Sequence, residues 1–483
     1  MTPSLTDLAL LIPELILVSM ALALLLGASR IRNASMVTTA TVIAAVVAAV
    51  VAALIAGRLS PDSPSLVGFS GMIIVDGYSQ FFKVLIAAAL TLATLLSVQR
   101  VNTDHVRPAE YHALLLLAAT GMMLAASSTD LLTLYLGLEL TTLSSYVLVG
   151  ITVDKPESNE AAIKYFLLGS FASALFLYGI ALAYGATGST DLDKIASAFA
   201  ASGVTTDPLL LVASVLIAAG LAFKIAAVPF HAWAPDAYEG AHTPVAAFLA
   251  TASKVAGLAA LGRVSLVIFA SDNQVFSAIL TLLAALSILV GSIIAISQTN
   301  MKRLLAYSSI AHAGYALLGF ISGTSAGAEA TMTYAYLYVF MTLGAFGVVI
   351  ALEESGETLD GYQGLATKRP KTAALMLLFL LSLTGIPPTA GFVAKFVVIL
   401  DVVREGQYVL AILAVACSVI TAFVYLRVVV LMYMKEPLEA VDDDSHSSTQ
   451  IPLAICLALA VAALITVVGG ILPGILTSWA VAP

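Results

Sequence analysis

Residues 372–401 read TAALMLLFLLSLTGIPPTAGFVAKFVVILD. The stretch is apolar throughout, with Lys395 and the closing Asp401 as its only charges. About 30 residues of helix would measure about 45 Å at about 1.5 Å per residue. The hydrocarbon core of a bilayer is only about 30 Å thick. Its middle, Thr384-Gly385-Ile386-Pro387-Pro388-Thr389-Ala390-Gly391, sets two prolines between glycines. No continuous helix passes through such a segment. Unwound backbone at membrane depth survives only inside protein or along a wet cavity. The stretch therefore reads as a discontinuous membrane helix, with Lys395 just past the break.

The pattern occurs a second time. From Pro208 to Glu239 the chain runs about as far without a charged loop, and Pro229 removes a backbone donor midway. Lys224 stands beside this break. Tilt absorbs part of the excess length, and a simple proline kink is common in membrane helices. A lysine next to each break argues against the kink. Paired interruptions in two halves of a membrane protein point to an ion site between internal repeats.

The rest of the chain fits that setting. Of 483 residues, 60% are hydrophobic and 10% charged, against about 25% charged in a soluble protein. Mean hydropathy is +1.02. So few charges cannot cover a soluble surface, which excludes a soluble enzyme, a disordered chain and a secreted disulfide scaffold. The net charge of −8 leaves no basic face for nucleic acid. Cys417 and Cys456 have no ligand-like spacing, which argues against an iron–sulfur cluster.

Measured against a span of about 20 residues, the sequence contains about fourteen apolar runs, numbered here in order. They cover 8–27, 36–56, 77–98, 110–127, 129–151, 161–185, 208–229, 243–269, 274–295, 303–321, 330–352, 372–401, 407–434 and 452–475. Run one is not a cleavable signal, because Asp7 stands where a basic region is required. The loops are too short for a soluble domain, and the acidic stretch 441–446 reads as a solvated loop. Loops after odd-numbered runs hold twelve Lys and Arg residues, and loops after even-numbered runs hold three. The positive-inside bias places the odd loops in the cytoplasm and both termini outside.

Five runs separate run five from ten and run seven from twelve, and an odd offset inverts topology. A weak alignment of Tyr146 and Gly150 with Tyr315 and Gly319 supports a repeat. The fold class is an all-α polytopic membrane protein of about fourteen helices. It has two inverted five-helix repeats and discontinuous runs seven and twelve. The divisions are 1–109, 110–269 for the first repeat, 270–434 for the second, and 435–483.

Six cations lie inside runs. Lys83, Lys164 and Arg263 are near run ends and are expected to snorkel to the interface. Lys224, Lys254 and Lys395 lie deeper and need a protein partner or a wet cavity. Glu139 sits mid-run with no lysine near it on its own helix, so its partner must come from another. Glu14 fits a packing or subunit contact as well as a functional role. Burial disfavours the charged form of a carboxylate or an amine, and an opposite charge restores it. A Glu–Lys pair that forms and breaks can thus move protons; a permanent pair would only orient helices. His312, mid-run, suits a relay or a structural hydrogen bond. Tyr307, Tyr315, Tyr334 and Tyr338 read mostly as packing. His231 and His242 fit no metal-site spacing, and no nucleotide-binding or hydrolase motif appears.

Four stretches carry a family resemblance: 164–173 (KYFLLGSFAS), 229–240 (PFHAWAPDAYEG), 297–309 (SQTNMKRLLAYSS) and 385–388 (GIPP). They are similar to the antiporter-like subunits of respiratory complex I, over nearly the whole chain. Within that family the chain most resembles the subunit N type of bacterial NADH:quinone oxidoreductase, the relatives of mitochondrial subunit two. The long C-terminal extension of the largest member is absent, and Lys395 stands where the middle member usually has a glutamate. The resemblance implies that Glu139 pairs with Lys224, that Lys254 is the central relay residue, and that His312 lies between half-channels. It implies that Lys395 hands protons toward the exit. It further implies a bacterial inner-membrane location, lipid contact, and partners among the other membrane and hydrophilic subunits, including neighbouring antiporter-like ones. NADH and quinone would be substrates of that assembly, with no cofactor or metal in this chain. A related family, the subunits of multi-subunit cation/proton antiporters, is the alternative.

Arginine keeps its charge and essentially never deprotonates, whereas lysine can. Lys395→Arg should therefore give an assembled complex with clearly lowered proton pumping in vesicles, and Lys395→Ala one at least as impaired. Parental pumping by the arginine variant, with failure of the alanine variant, would make Lys395 a fixed counter-charge.

Overall fold

A computed structural model describes residues 5–28, 33–59, 65–103, 106–202, 207–269, 274–437 and 451–472. Every apolar run carries helix. Ten helices are long and apolar enough to cross a membrane. They are Ala34–Ala56, Gly77–Gln99, Pro108–Ala126, Leu131–Val149, Pro156–Thr187, Thr243–Ile268, Gln274–Ile296, Ser325–Ala351, Tyr408–Met434 and Leu453–Ile471. Ile12–Gly27, Pro208–Lys224 and Pro370–Thr384 are shorter apolar helices. Met301–Leu317 carries run ten.

Burial sorts these helices. Run eight is wholly buried and run eleven nearly so, whereas runs two and fourteen are only about one-third buried. The molecule is thus arranged around runs eight and eleven. Two features of the loops were not legible as apolar runs. A short hairpin pairs Leu66–Gly68 with Ile73–Val75, and an amphipathic helix, Leu192–Ser202, follows run six. The acidic stretch 441–446 lies outside the described residues.

Several contacts recur at a spacing of 170 residues along the helices, and of 167 at the loop residues that pair beside them. Asp130 caps the start of run five by accepting from the amides of Leu132 and Thr133. Asn300, 170 residues on, caps run ten by accepting from Arg303. Beside the first cap, Leu131 N donates to Thr190 O and Leu192 N to Thr129 O. Beside the second, Met301 N donates to Glu357 O and Leu359 N to Thr299 O. Gly121 lets run four approach run five so closely that a Cβ would lie 2.4 Å from Gly137 O. Gly291, again 170 residues later, does the same for runs nine and ten, where a Cβ would lie 2.8 Å from Tyr307 O. This register sets Tyr146 opposite Ala316. The Tyr146–Tyr315 alignment is therefore one residue out; the caps and backbone contacts locate the helices better than a shared tyrosine.

Two of the expected snorkelling cations are buried. Lys83 is fully enclosed and pairs with Glu14 at 2.7 Å. Arg263 grips Asp76 with two bonds of 2.5 and 3.0 Å, lies 4.6 Å over the Tyr78 ring, and donates to Ala126 O. Acids at run ends, Glu14 and Asp76, turn these side chains inward, so proximity to an end did not decide their direction. Lys164 does stay half-exposed, between Glu160 and Asp236.

Burial acts to raise the Asp76 carboxyl, but the Arg263 guanidinium outweighs it and holds the group below the usual carboxylate range. The pair's contribution is therefore full at neutral pH and is lost as the pH falls through that depressed value. Arg263→Leu strands the Asp76 charge and should cost about 3–5 kcal/mol. Asp76→Asn with Arg263→Gln should recover part of it, as read by the Tm of the purified assembly. Equal Tm values for parent and Arg263→Leu would refute the anchor.

Candidate proton-relay site

Run seven stops at Lys224 and helix resumes at Trp233–Gly240. Run twelve stops at Thr384 and resumes at Ala390–Arg404. Both breaks have one backbone design. Ala226 and Gly385 take positive φ, 55° and 89°. Ala226 N donates to Phe223 O and Ala227 N to Ala222 O. Gly385 N donates to Ser382 O and Ile386 N to Leu381 O. The Val228–Pro229 and Pro387–Pro388 peptide bonds are both cis. Helix C-termini leave carbonyls without partners and carry partial negative charge. Here side chains meet that need. Trp233 Nε1 donates to Phe223 O at 3.0 Å, and Lys395 Nζ donates to Thr384 O at 2.8 Å.

Lys224 is the last residue of its half-helix. Its Nζ lies 3.2 Å from Glu139 Oε1 on run five and donates to Thr142 Oγ1, one turn along the same helix. Ser173 of run six donates to the same carboxylate. Gly257 on run eight packs against this corner, where a Cβ would lie 2.7 Å from Ile225 Cγ2 and 3.3 Å from Lys224 Cβ.

Lys254 stands one turn before Gly257, directly after a π-helical turn, Leu249–Ser253. It is buried and donates to Ser309 O and Oγ at 2.7 and 2.8 Å. Three residues further along run ten, His312 Nδ1 shares a 2.6 Å hydrogen bond with the Tyr334 hydroxyl. Three residues beyond that, the Tyr315 ring lies 4.8 Å below Lys395 Nζ. Lys395 is held by Thr384 O and by Ser418 Oγ at 2.9 Å. Ser309, His312 and Tyr315 share one helical face, which faces Lys254, Tyr334 and Lys395 in turn.

All five ionisable residues expected from the sequence thus lie in or beside one buried polar row. The proline breaks stand at its two lysine ends. The row also contains Thr142, Ser173, Ser309 and Ser418, which are common in membrane helices and carry no sequence signal alone. Tyr315 and Tyr334, expected to be packing, touch Lys395 and His312. Tyr307 is partly buried against the core, and Tyr338 donates to Ala250 O at the π-turn. Among the described residues no group of His, Cys, Asp and Glu is placed to hold a metal ion.

Gly257→Ala should push Lys224 off Glu139. We expect a density map of the variant to show their separation beyond salt-bridge distance and pumping to fall with assembly intact. An unchanged pair with lost pumping would place the role of Gly257 elsewhere.

Comparisons with known proteins place the chain in a family. Residues 128–421 match the NADH:quinone oxidoreductase/Mrp antiporter transmembrane family. NADH-quinone oxidoreductase subunit N 2 of Rhizobium meliloti is 44% identical over 433 residues, 88% of each chain. Subunit N of Desulfovibrio desulfuricans is 42% identical over 99% of this chain and 97% of its own. A chain of respiratory complex I from Thermus thermophilus, solved with bound aureothin, superposes with a TM-score of 0.81 at 34% identity. It covers 98% of this chain and all of that one. A chain of the Mrp complex from Dietzia has a TM-score of 0.86 at 22% identity, over 98% and 96% of the two chains, a likeness of fold. The chain belongs to the NADH-quinone oxidoreductase subunit N family, within the wider complex I and Mrp antiporter group.

Proposed function

We propose that this chain is an antiporter-like membrane subunit of a bacterial NADH:quinone oxidoreductase. It moves protons across the inner membrane while the redox chemistry of NADH and quinone takes place in other subunits. The observation that carries this reading is the buried Glu139–Lys224 pair at a helix break, continued by Lys254, His312 and Lys395 along one face of run ten. An ion pair with no further relay would only fasten helices. A row of exchangeable groups in a membrane interior is the arrangement a proton path requires.

The architecture in this reading has fourteen spans, with runs seven and twelve discontinuous and five-helix inverted repeats over 110–269 and 270–434. The contacts recurring at 170 residues and the twin break geometry support the repeats. The excess of Lys and Arg in the odd loops supports a cytoplasmic placement for them, with both termini outside.

Glu139 is also the natural input from a neighbour. It lies on the outward stripe of run five, with exposed Leu132, Leu136, Leu143 and Val147 above and below it. A neighbouring membrane subunit on that stripe can shift the charge balance at Glu139 and release or capture the Lys224 ammonium. Lys224 then exchanges with Lys254, and His312 and Lys395 carry the proton toward the exit. The likeness to the Mrp chain supports the shared fold; identities above 40% to subunit N relatives favour the respiratory reading over a cation/proton antiporter.

Glu139→Gln leaves Lys224 without its counter-charge. The variant should assemble, co-purify with the hydrophilic subunits, and lose NADH oxidation and proton pumping together. Parental values of both would remove Glu139 from the mechanism, and purification with antiporter subunits instead would favour the alternative family.

A further inference from the structure

The half-helix Ala390–Arg404, beyond the break in run twelve, buries one stripe of side chains that includes Lys395, Val398 and Asp401. Asp401 follows Lys395 on that face, about 9 Å along at about 1.5 Å per residue. Val398 is the only buried side chain of the stripe between them. The order runs outward from the break. Thr384 O holds Lys395 Nζ at 2.8 Å, and Asp401 lies about one turn before the helix ends at Arg404. That end of the molecule carries the even loops.

Asp401 is only 7% exposed. Among the described residues no donor of good geometry reaches its Oδ2. The carboxylate is wedged against the first turn of run eleven. An atom at the Cβ position of Gly327 would lie 2.7 Å from Asp401 Oδ2, and it would also meet Ser322 Oγ and Gly319 O. Glycine at this place lets the acid and the Ser322 hydroxyl converge. Ser322 Oγ shares a 2.9 Å hydrogen bond with Thr324 Oγ1, and Thr324 is exposed. Two hydroxyls thus lead from the buried carboxylate to the surface. Arg404 and Glu405 follow one turn on along the same helix, and Glu329, the acid at this end of run eleven, is exposed. Lys395, the cation of the same buried face, is turned back to Thr384 O. A carboxylate inside a membrane protein is costly unless it is paired or exchanges a proton.

We infer that Asp401 is the release group of the row, taking the proton from Lys395 and giving it to water at the Ser322–Thr324 surface. The inference rests on the relay reading of Lys395. An N–H bond of the Lys395 ammonium breaks as an O–H bond forms on Asp401, with water beside Val398 carrying the proton across. The amine and the acid are then both neutral. The Asp401 O–H bond next breaks, outer water takes the proton, and the carboxylate is restored. No electron moves. The competing role is a fixed anchor, because the first turn of a helix favours an anion beside it whether or not that anion titrates.

The test uses the whole complex in sealed vesicles and compares the parent with Asp401→Asn, Asp401→Glu and Lys395→Ala. Asparagine keeps the size and polarity of the side chain and cannot carry the proton. Asp401→Asn should slow NADH-driven proton pumping by about a hundredfold, a factor that one positioned proton-transfer group carries. The Tm of the purified assembly should stay at the parental value, and Asp401→Glu, which keeps a carboxyl, should recover most of the pumping. Parental pumping by Asp401→Asn, with Lys395→Ala impaired, would overturn the inference and leave the relay reading standing. Pumping that falls only together with the Tm would make Asp401 an anchor for run eleven and overturn the inference as well. Parental pumping by Lys395→Ala would overturn the relay reading itself. Should Asp401→Asn not assemble, a map of the parent complex that resolves water decides. Water density within hydrogen-bond reach of Asp401 Oδ2 supports the inference, and a dry contact there overturns it.

Discussion

Two helices end inside this protein, and their terminal carbonyls must be satisfied without lipid-side help. Hydrocarbon supplies no hydrogen-bond donors, so a broken helix is viable only where the protein provides them. Here the chain folds back at Ala226 and Gly385, and Trp233 and Lys395 donate to the exposed ends. A helix C-terminus is also a site of partial negative charge, which favours a cation. Lys224 ends one half-helix, and Lys395 reaches back to the other. The breaks therefore account for the lysines, and the lysines account for the polar partners collected around them.

The two halves use this design differently. At the register of the helix caps, Glu139 corresponds to Ser309 and Thr142 to His312. In the first half a carboxylate meets the lysine of its own broken helix. In the second half the equivalent position is a serine, and it takes up Lys254 from the first half. Lys395 accordingly has a carbonyl, a hydroxyl and a tyrosine face as neighbours in place of an acid. One end of the row thus carries a carboxylate beside its lysine, and the other is held by neutral dipoles.

Much of this was legible in the sequence, for identifiable reasons. Length, prolines and a flanking lysine marked both 208–239 and 372–401 for interruption, and helices end at Lys224 and Thr384. Glu139 and Lys254 were conspicuous because charge is rare in such runs. The inward turn of Lys83 and Arg263 was not legible, since it depends on Glu14 and Asp76 arriving from other segments. The hydroxyls of Thr142, Ser173, Ser309 and Ser418 were equally silent, as was the π-turn that precedes Lys254. The repeat register needed the caps at Asp130 and Asn300, which sequence similarity placed one residue out.

In the proposed relay Lys224 works by exchanging its proton rather than by holding a charge. Arginine in its place preserves the charge beside Glu139 and abolishes the exchange. The most direct measurement is the number of protons moved per NADH oxidised by the reconstituted Lys224→Arg complex. The expected result is an assembled complex whose pumping falls to a small fraction of the parental value. A parental proton-to-NADH ratio would contradict it and leave the Glu139–Lys224 pair as a fixed structural contact.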